Sequence, residues 1–129
     1  MEISKVEAMS PLTWAYVGDC VYELYIRKYL VDKGIAKVKE LQSESIKYVS
    51  AKSQSNYLKE LMDNNLLTEE EINIVKCARN HKSNHKPKNC DIITYKLSTG
   101  FEALIGYLYL ENKIDRLEEI INYIIKSWH

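Results

Sequence analysis

Two apolar helical stretches, each carrying a glycine and a carboxylate, constrain this chain more than any other feature. The first is Ala15-Tyr16-Val17-Gly18-Asp19-Cys20-Val21-Tyr22-Glu23-Leu24-Tyr25-Ile26. Its apolar residues Tyr16, Val17, Cys20, Val21, Leu24 and Tyr25 recur at helical spacing, which marks a core helix. Gly18 inside that helix costs about 1 kcal/mol against alanine, so the close approach of another element must need its missing side chain. Asp19 puts a carboxylate among apolar neighbours, where charge is costly unless it is paired or bound to a metal. The second stretch, Thr99-Gly100-Phe101-Glu102-Ala103-Leu104-Ile105-Gly106-Tyr107-Leu108, repeats the grammar around Glu102. Small residues let helix axes come closer than the usual spacing of roughly 8–10 Å. The two stretches together predict helices that cross at their glycines and bring Asp19 and Glu102 together. Facing carboxylates in a helical core predict a site for a divalent metal.

The remaining chain agrees with an all-α fold in one domain, residues 1–129. Only four glycines and two prolines are present, too few for the many turns of an all-β fold. Ser10-Pro11 predicts a helix start that runs to about Lys33, with Gly34 as a left-handed stop. A short helical turn at Val38 to Leu41 precedes a longer helix with Ile46, Val49, Ser53, Tyr57, Leu58, Leu61 and Met62 on its inner face, ended by Asn64-Asn65. Thr68 and Glu71 form a capping box for a helix whose Ile72, Val75 and Cys77 lead to about Arg79. A polar linker from Asn80 to Asn89 follows. Asp91 or a neighbour opens the helix through Glu102 to Leu110, and Asp115 caps a last helix striped by Leu117, Ile120, Ile121, Ile124, Ile125 and Trp128. No apolar run approaches the roughly 20 residues of a membrane span. Cys20, Cys77 and Cys90 are odd in number and scattered, which predicts reduced thiols in a cytoplasmic protein.

Eighteen basic and eighteen acidic residues leave no formal net charge, so any polyanionic partner must be met by local clustering. Residues 76–88 provide it. Lys76, Arg79, Lys82, Lys86 and Lys88 lie there with His81, His85, Asn80, Ser83 and Asn84 and no acid. Flexible cations among amides suit phosphate oxygens, although a solvated loop has the same composition. The segment also has a rival reading, with Cys77, His81 and His85 at four-residue spacing and Cys90 nearby as a zinc set. Polar Lys82-Ser83-Asn84 and Pro87 oppose the continuous helix that zinc would require.

Gly18-Asp19-Cys20-Val21-Tyr22-Glu23 resembles the signature helix of the ribonuclease III nuclease domain, most closely the short bacterial Mini-ribonuclease III subfamily. Ala51-Lys52-Ser53-Gln54, Arg79-Asn80, Pro87-Lys88-Asn89, Tyr95 and Ser98-Thr99-Gly100-Phe101-Glu102-Ala103-Leu104 carry the same resemblance, in order, from about Pro11 to Lys113. The resemblance implies an all-α homodimer that cuts double-stranded RNA with magnesium, leaving 5′-phosphate and 3′-hydroxyl ends. It further implies maturation of the 23S ribosomal RNA precursor, with no appended double-stranded-RNA-binding domain before His129. Asp19 and Glu102 match metal-binding acids of the family, and Lys52 joins Lys76, Arg79, Asn80, Lys82, Lys86 and Lys88 as candidate RNA contacts. Two further acids of the larger enzymes are replaced by Ala15 and Thr99.

Magnesium suits this set, since it is commonly held by one or two carboxylates and completes its shell with water and substrate phosphate. Glu23, one turn after Asp19, is a candidate outer-shell acceptor, or else the i,i+4 partner of Arg27. Asp91 lies eleven residues before Glu102, about 16 Å along a continuous helix, too far to share an ion. Trp14, Tyr16 and Val17 are candidates for a self-complementary interface or for the core. The competing functional reading is a non-catalytic RNA-binding or ribosome-associated module with the same fold.

Overall fold

A computed structural model describes residues 4–81 and 91–127. The described residues form six helices, α1 (Pro11–Asp32), α2 (Val38–Val49), α3 (Ala51–Asp63), α4 (Glu69–Arg79), α5 (Ile92–Leu110) and α6 (Ile114–Ser127), with α5 at the centre. No strand occurs among the described residues. α5 is buried almost all round from Leu97 to Leu108, as expected of a helix that is apolar on every side. It packs against α1, α3, α4 and α6.

Local sequence explains most of the boundaries. The Ser10 hydroxyl accepts from the Leu12 amide at 3.3 Å, Pro11 opens α1, and Gly34 turns the chain at φ +101°. Asn65 and Asn112 take left-handed φ angles of 54° and 60°, and so reverse the chain after α3 and α5. Asp91 caps α5, its carboxylate accepting from the amide and hydroxyl of Thr94 at 2.8 and 2.9 Å. The capping box is reciprocal: the Glu71 amide donates to the Thr68 hydroxyl at 3.1 Å and the Thr68 amide donates to Glu71 at 2.9 Å.

Glu71 does more than cap. It is buried, and Arg116 of α6 grips both of its oxygens at 2.8 Å while also donating to the Leu66 carbonyl. Burial alone would raise its pKa, but the Arg116 and Thr68 hydrogen bonds outweigh it and hold the carboxyl below its ordinary value. The start of α4 is thereby tied to α6.

Several expectations need correction. The single long helix predicted to reach Met62 is two helices, broken at Ser50, whose ψ of 154° is extended. Ser50 ends α2 and caps α3 through the Ser53 amide at 3.2 Å. Because a helical stripe cannot continue through that break, Ile46 points outward and is 61% exposed. Cys77 is also exposed, since Ile74, Val75 and Ala78 form the inner face of α4. α6 begins at Ile114, so Asp115 lies in its first turn rather than at its cap. Leu117, Ile120, Ile121 and Ile124 are buried as expected, while Trp128 lies outside the described residues.

The largest correction concerns α1. Its buried face is Trp14, Ala15, Gly18, Val21, Tyr22, Ile26 and Leu30. Tyr16, Cys20 and Leu24 face outward, with Tyr16 81% and Leu24 66% exposed. The helix is apolar on two sides and only one of them meets the domain's own core.

Candidate active site

α1 and α5 touch backbone to backbone. A Cβ built on Gly18 would lie 1.7 Å from the Glu102 carbonyl oxygen, and one on Gly106 would lie 1.8 Å from the Trp14 carbonyl oxygen. The two glycines therefore form the crossing that the sequence predicts. Gly100 does not belong to it; a Cβ there would meet Val75 of α4 at 3.1 Å. Edge-to-face rings brace the crossing on both sides, Tyr22 against Phe101 at 4.9 Å and Trp14 against Tyr107 at 5.4 Å.

This contact makes neighbours of the two acids. Asp19 follows Gly18 on α1, Glu102 sits on the touching turn of α5, and the two carboxyls are close enough to perturb one another. Asp19 is exposed and Glu102 half-buried. Burial chiefly, and then the negative charge and hydrogen bond of Asp19, push the Glu102 carboxyl up to about 8, while Gln54 pulls it the other way. Near neutral pH, with no cation bound, Glu102 is thus largely protonated.

Gln54 is a site residue to which the sequence pattern assigns no role. It is 2% exposed at the start of α3, and its amide nitrogen donates to the Val49 carbonyl at 3.1 Å and to Glu102 at 3.4 Å. The only hint is its place in the Ala51-Lys52-Ser53-Gln54 resemblance. Glu23 is ion-paired with Arg27 at 3.0 Å, one turn along α1. Ala15 is buried in the core, and the Thr99 hydroxyl donates to the Tyr95 carbonyl at 3.0 Å.

Among the candidate RNA contacts, Lys52, Lys76 and Asn80 are exposed and Arg79 is half-buried. Lys76, Arg79 and Asn80 cluster at the C-terminal end of α4, and neither cation there nor Lys52 makes an ion pair among the described residues. Lys82, Lys86 and Lys88 lie outside the described residues, as do His85 and Cys90 of the zinc reading. No three His, Cys, Asp or Glu side chains converge on a metal position among the described residues. Asp19 also borders a groove of about 760 Å³ along the outer side of α1, lined by Tyr16, Val17, Cys20, Leu24, Tyr25 and Tyr109. No described helix is long and apolar enough to cross a membrane.

Known proteins resemble this chain closely. The family model for the ribonuclease III domain matches residues 12–113. A Mini-ribonuclease 3 of Staphylococcus aureus is 48% identical over 93% of this chain and 90% of its own length. One from Streptococcus pneumoniae is 41% identical over 95% of both chains. A crystal structure of a Fusobacterium nucleatum protein superposes with a TM-score of 0.85 at 35% identity, covering 98% of this chain and all of the other. A match over the crossing, both acids and nearly the whole length places the chain in the ribonuclease III family, among the Mini-ribonuclease 3 endoribonucleases.

Proposed function

We propose that this endoribonuclease hydrolyses phosphodiesters of double-stranded RNA with magnesium held by Asp19 and Glu102. The observation that carries the reading is the pair of neighbouring carboxyls, Asp19 and Glu102, at the Gly18–Gly106 backbone contact. The residues present fit the ion. Both donors are hard oxygens, one faces solvent, and the adjoining Gln54 amide keeps a buried carbonyl oxygen without a donor among the described residues. A bound magnesium ion would polarise a phosphoryl oxygen and make water nucleophilic near neutral pH.

The chain's own residues do the rest. Asp19 would offer its solvent-facing carboxylate from α1, and Glu102 would offer its carboxylate from α5 after giving its proton to water. Buried Tyr22 and Phe101 beneath them keep the crossing fixed. The family resemblance supports 5′-phosphate and 3′-hydroxyl products and a ribosomal RNA precursor as cellular substrate. Pure protein incubated with a long RNA duplex should cut it with magnesium and leave it intact with a chelator. Equal cutting in both conditions would overturn the metal reading. No cutting in either would favour a non-catalytic RNA-binding module, which the carboxylate-free Ala15 and Thr99 positions otherwise recommend.

The outer side of α1 supports a homodimer. Tyr16 and Leu24 leave a broad apolar surface in water, where soluble proteins seldom keep one unless it is covered. A two-fold pairing of this face covers it with itself and places two Asp19–Glu102 pairs against opposite strands. Trp14 takes no part, since it is buried and its indole nitrogen donates to the Val6 carbonyl at 2.8 Å. Light scattering should give a dimer at micromolar concentration, and Leu24→Glu should shift it to monomer without unfolding. A wild-type monomer would end this proposal.

The basic segment supports phosphate binding. Neutralising Arg79, Lys82, Lys86 and Lys88 together should weaken duplex binding whatever the sequence. It should also flatten the dependence of affinity on salt, by about 0.9 in log–log slope for each phosphate no longer neutralised, on the B-DNA scale. Identical slopes for wild type and variant would show that RNA is held elsewhere.

A further inference from the structure

Gln54, 2% exposed, bonds Glu102, and half of its amide is unused. Its nitrogen is claimed twice, by the Val49 carbonyl at the end of α2 and by the Glu102 carboxylate of α5. The first bond satisfies one of the carbonyls that a helix end leaves open. Its Oε1 has no hydrogen-bond donor among the described residues, although it is fully buried. Exchanging the amide's oxygen and nitrogen does not remove the problem, because the oxygen would then face the Val49 carbonyl oxygen. A leucine or methionine would fill the same volume without the orphaned Oε1, giving up only the Val49 bond, so packing alone does not account for a glutamine here.

We propose that Gln54 is a positioning residue of the Asp19–Glu102 centre, its amide nitrogen orienting Glu102 and its Oε1 accepting a hydrogen bond from a water that the bound cation carries. The inference rests on the magnesium reading above. A magnesium ion usually keeps several of its six oxygen positions as water, and those waters are strong donors. An ion beside Glu102 therefore brings the donor that Oε1 lacks. Residues that orient a ligand without touching the metal commonly change its affinity by about 10–100-fold.

The test is the melting temperature of the full chain across a magnesium series, for wild type, Gln54→Leu, Gln54→Met and Asp19→Asn. A ligand that binds only the folded state raises Tm with its concentration, so each series reports both metal-free stability and the magnesium midpoint. Each Gln54 variant removes the orphaned Oε1 and the Val49 bond together, so metal-free melting should stay near wild type, and both should need about 10–100-fold more magnesium for the same rise. Wild-type midpoints in both variants would overturn the proposal, as would metal-free melting well below wild type in both, which would make Gln54 a core spacer. A wild-type series that is flat, or that Asp19→Asn does not alter, would overturn the magnesium reading itself and this inference with it.

Discussion

Asp19→Asn and Glu102→Gln should each lower the cleavage rate of duplex RNA about a thousand-fold or more, while the fold and RNA binding persist. Each amide keeps the shape of its parent and loses the charge that a magnesium ion requires. Metal-assisted charge stabilisation is worth several kcal/mol, and each 1.4 kcal/mol or so is tenfold in rate. Stability should move in the opposite direction. The Glu102 carboxyl is pushed up to about 8, above its ordinary 4.5, mainly by burial and secondly by Asp19. The metal-free wild type therefore has its full stability below the ordinary carboxyl range and loses some as pH rises through about 8. The amide introduced by Glu102→Gln cannot ionise, so the variant's stability advantage should grow across that interval. Single-turnover cleavage with excess enzyme, mobility shift with duplex, and melting in chelator from pH 5 to about 9 measure the three effects. Full cleavage by either variant would remove that residue from the chemistry.

What the sequence makes legible is the backbone crossing. A glycine inside an apolar helix is unfavourable by itself, so Gly18 and Gly106 announce a contact, and the acids beside them announce its use. The adjacent signals mislead in instructive ways. Gly100 has the same local appearance as Gly106, yet it packs on Val75 of α4, because periodicity says which side of a helix avoids water and not which helix covers it. The same spacing argument assigns Tyr16, Cys20 and Leu24 to the core, and they lie outside it. Helical periodicity marks an apolar face, and it does not say whether the domain's own core covers that face. Gln54 is silent for a different reason. It sits in a polar stretch beside Lys52, Ser53, Ser55 and Asn56, where nothing in the pattern marks one polar residue as buried. Only the break at Ser50 turns that residue inward, and in the sequence the break looks like the middle of a longer helix.

Gly18→Ala and Gly106→Ala should destabilise the domain more than any other glycine replacement in it. Alanine ordinarily favours a helix by about 1 kcal/mol over glycine, so propensity alone predicts a gain. Geometry overrides it. The new methyl would stand 1.7 or 1.8 Å from a backbone carbonyl oxygen, against an ordinary contact distance of roughly 3.5 Å. A backbone cannot rotate aside as a side-chain tip can, so α1 and α5 would have to part. Parting them loosens Tyr22 from Phe101 and Trp14 from Tyr107, the contacts that brace the crossing. Ordinary overpacking costs about 1–3 kcal/mol and this overlap belongs at or above the top of that range, a large share of the roughly 5–15 kcal/mol that holds a domain folded. Two other glycines serve as controls. Gly34→Ala meets no atom within 4 Å and suffers only its φ of +101°, while Gly100→Ala meets Val75 Cγ1 at 3.1 Å and the Val75 carbonyl oxygen at 3.3 Å, far less overlap than at the crossing. Urea midpoints should therefore fall most for Gly18→Ala and Gly106→Ala, and modestly for Gly34→Ala and Gly100→Ala. Either crossing variant that remains folded should also lose cleavage, because the acids separate with the helices. A wild-type urea midpoint for Gly18→Ala would mean that the helices do not meet backbone to backbone, and the carboxylate pair built on that contact would lose its support.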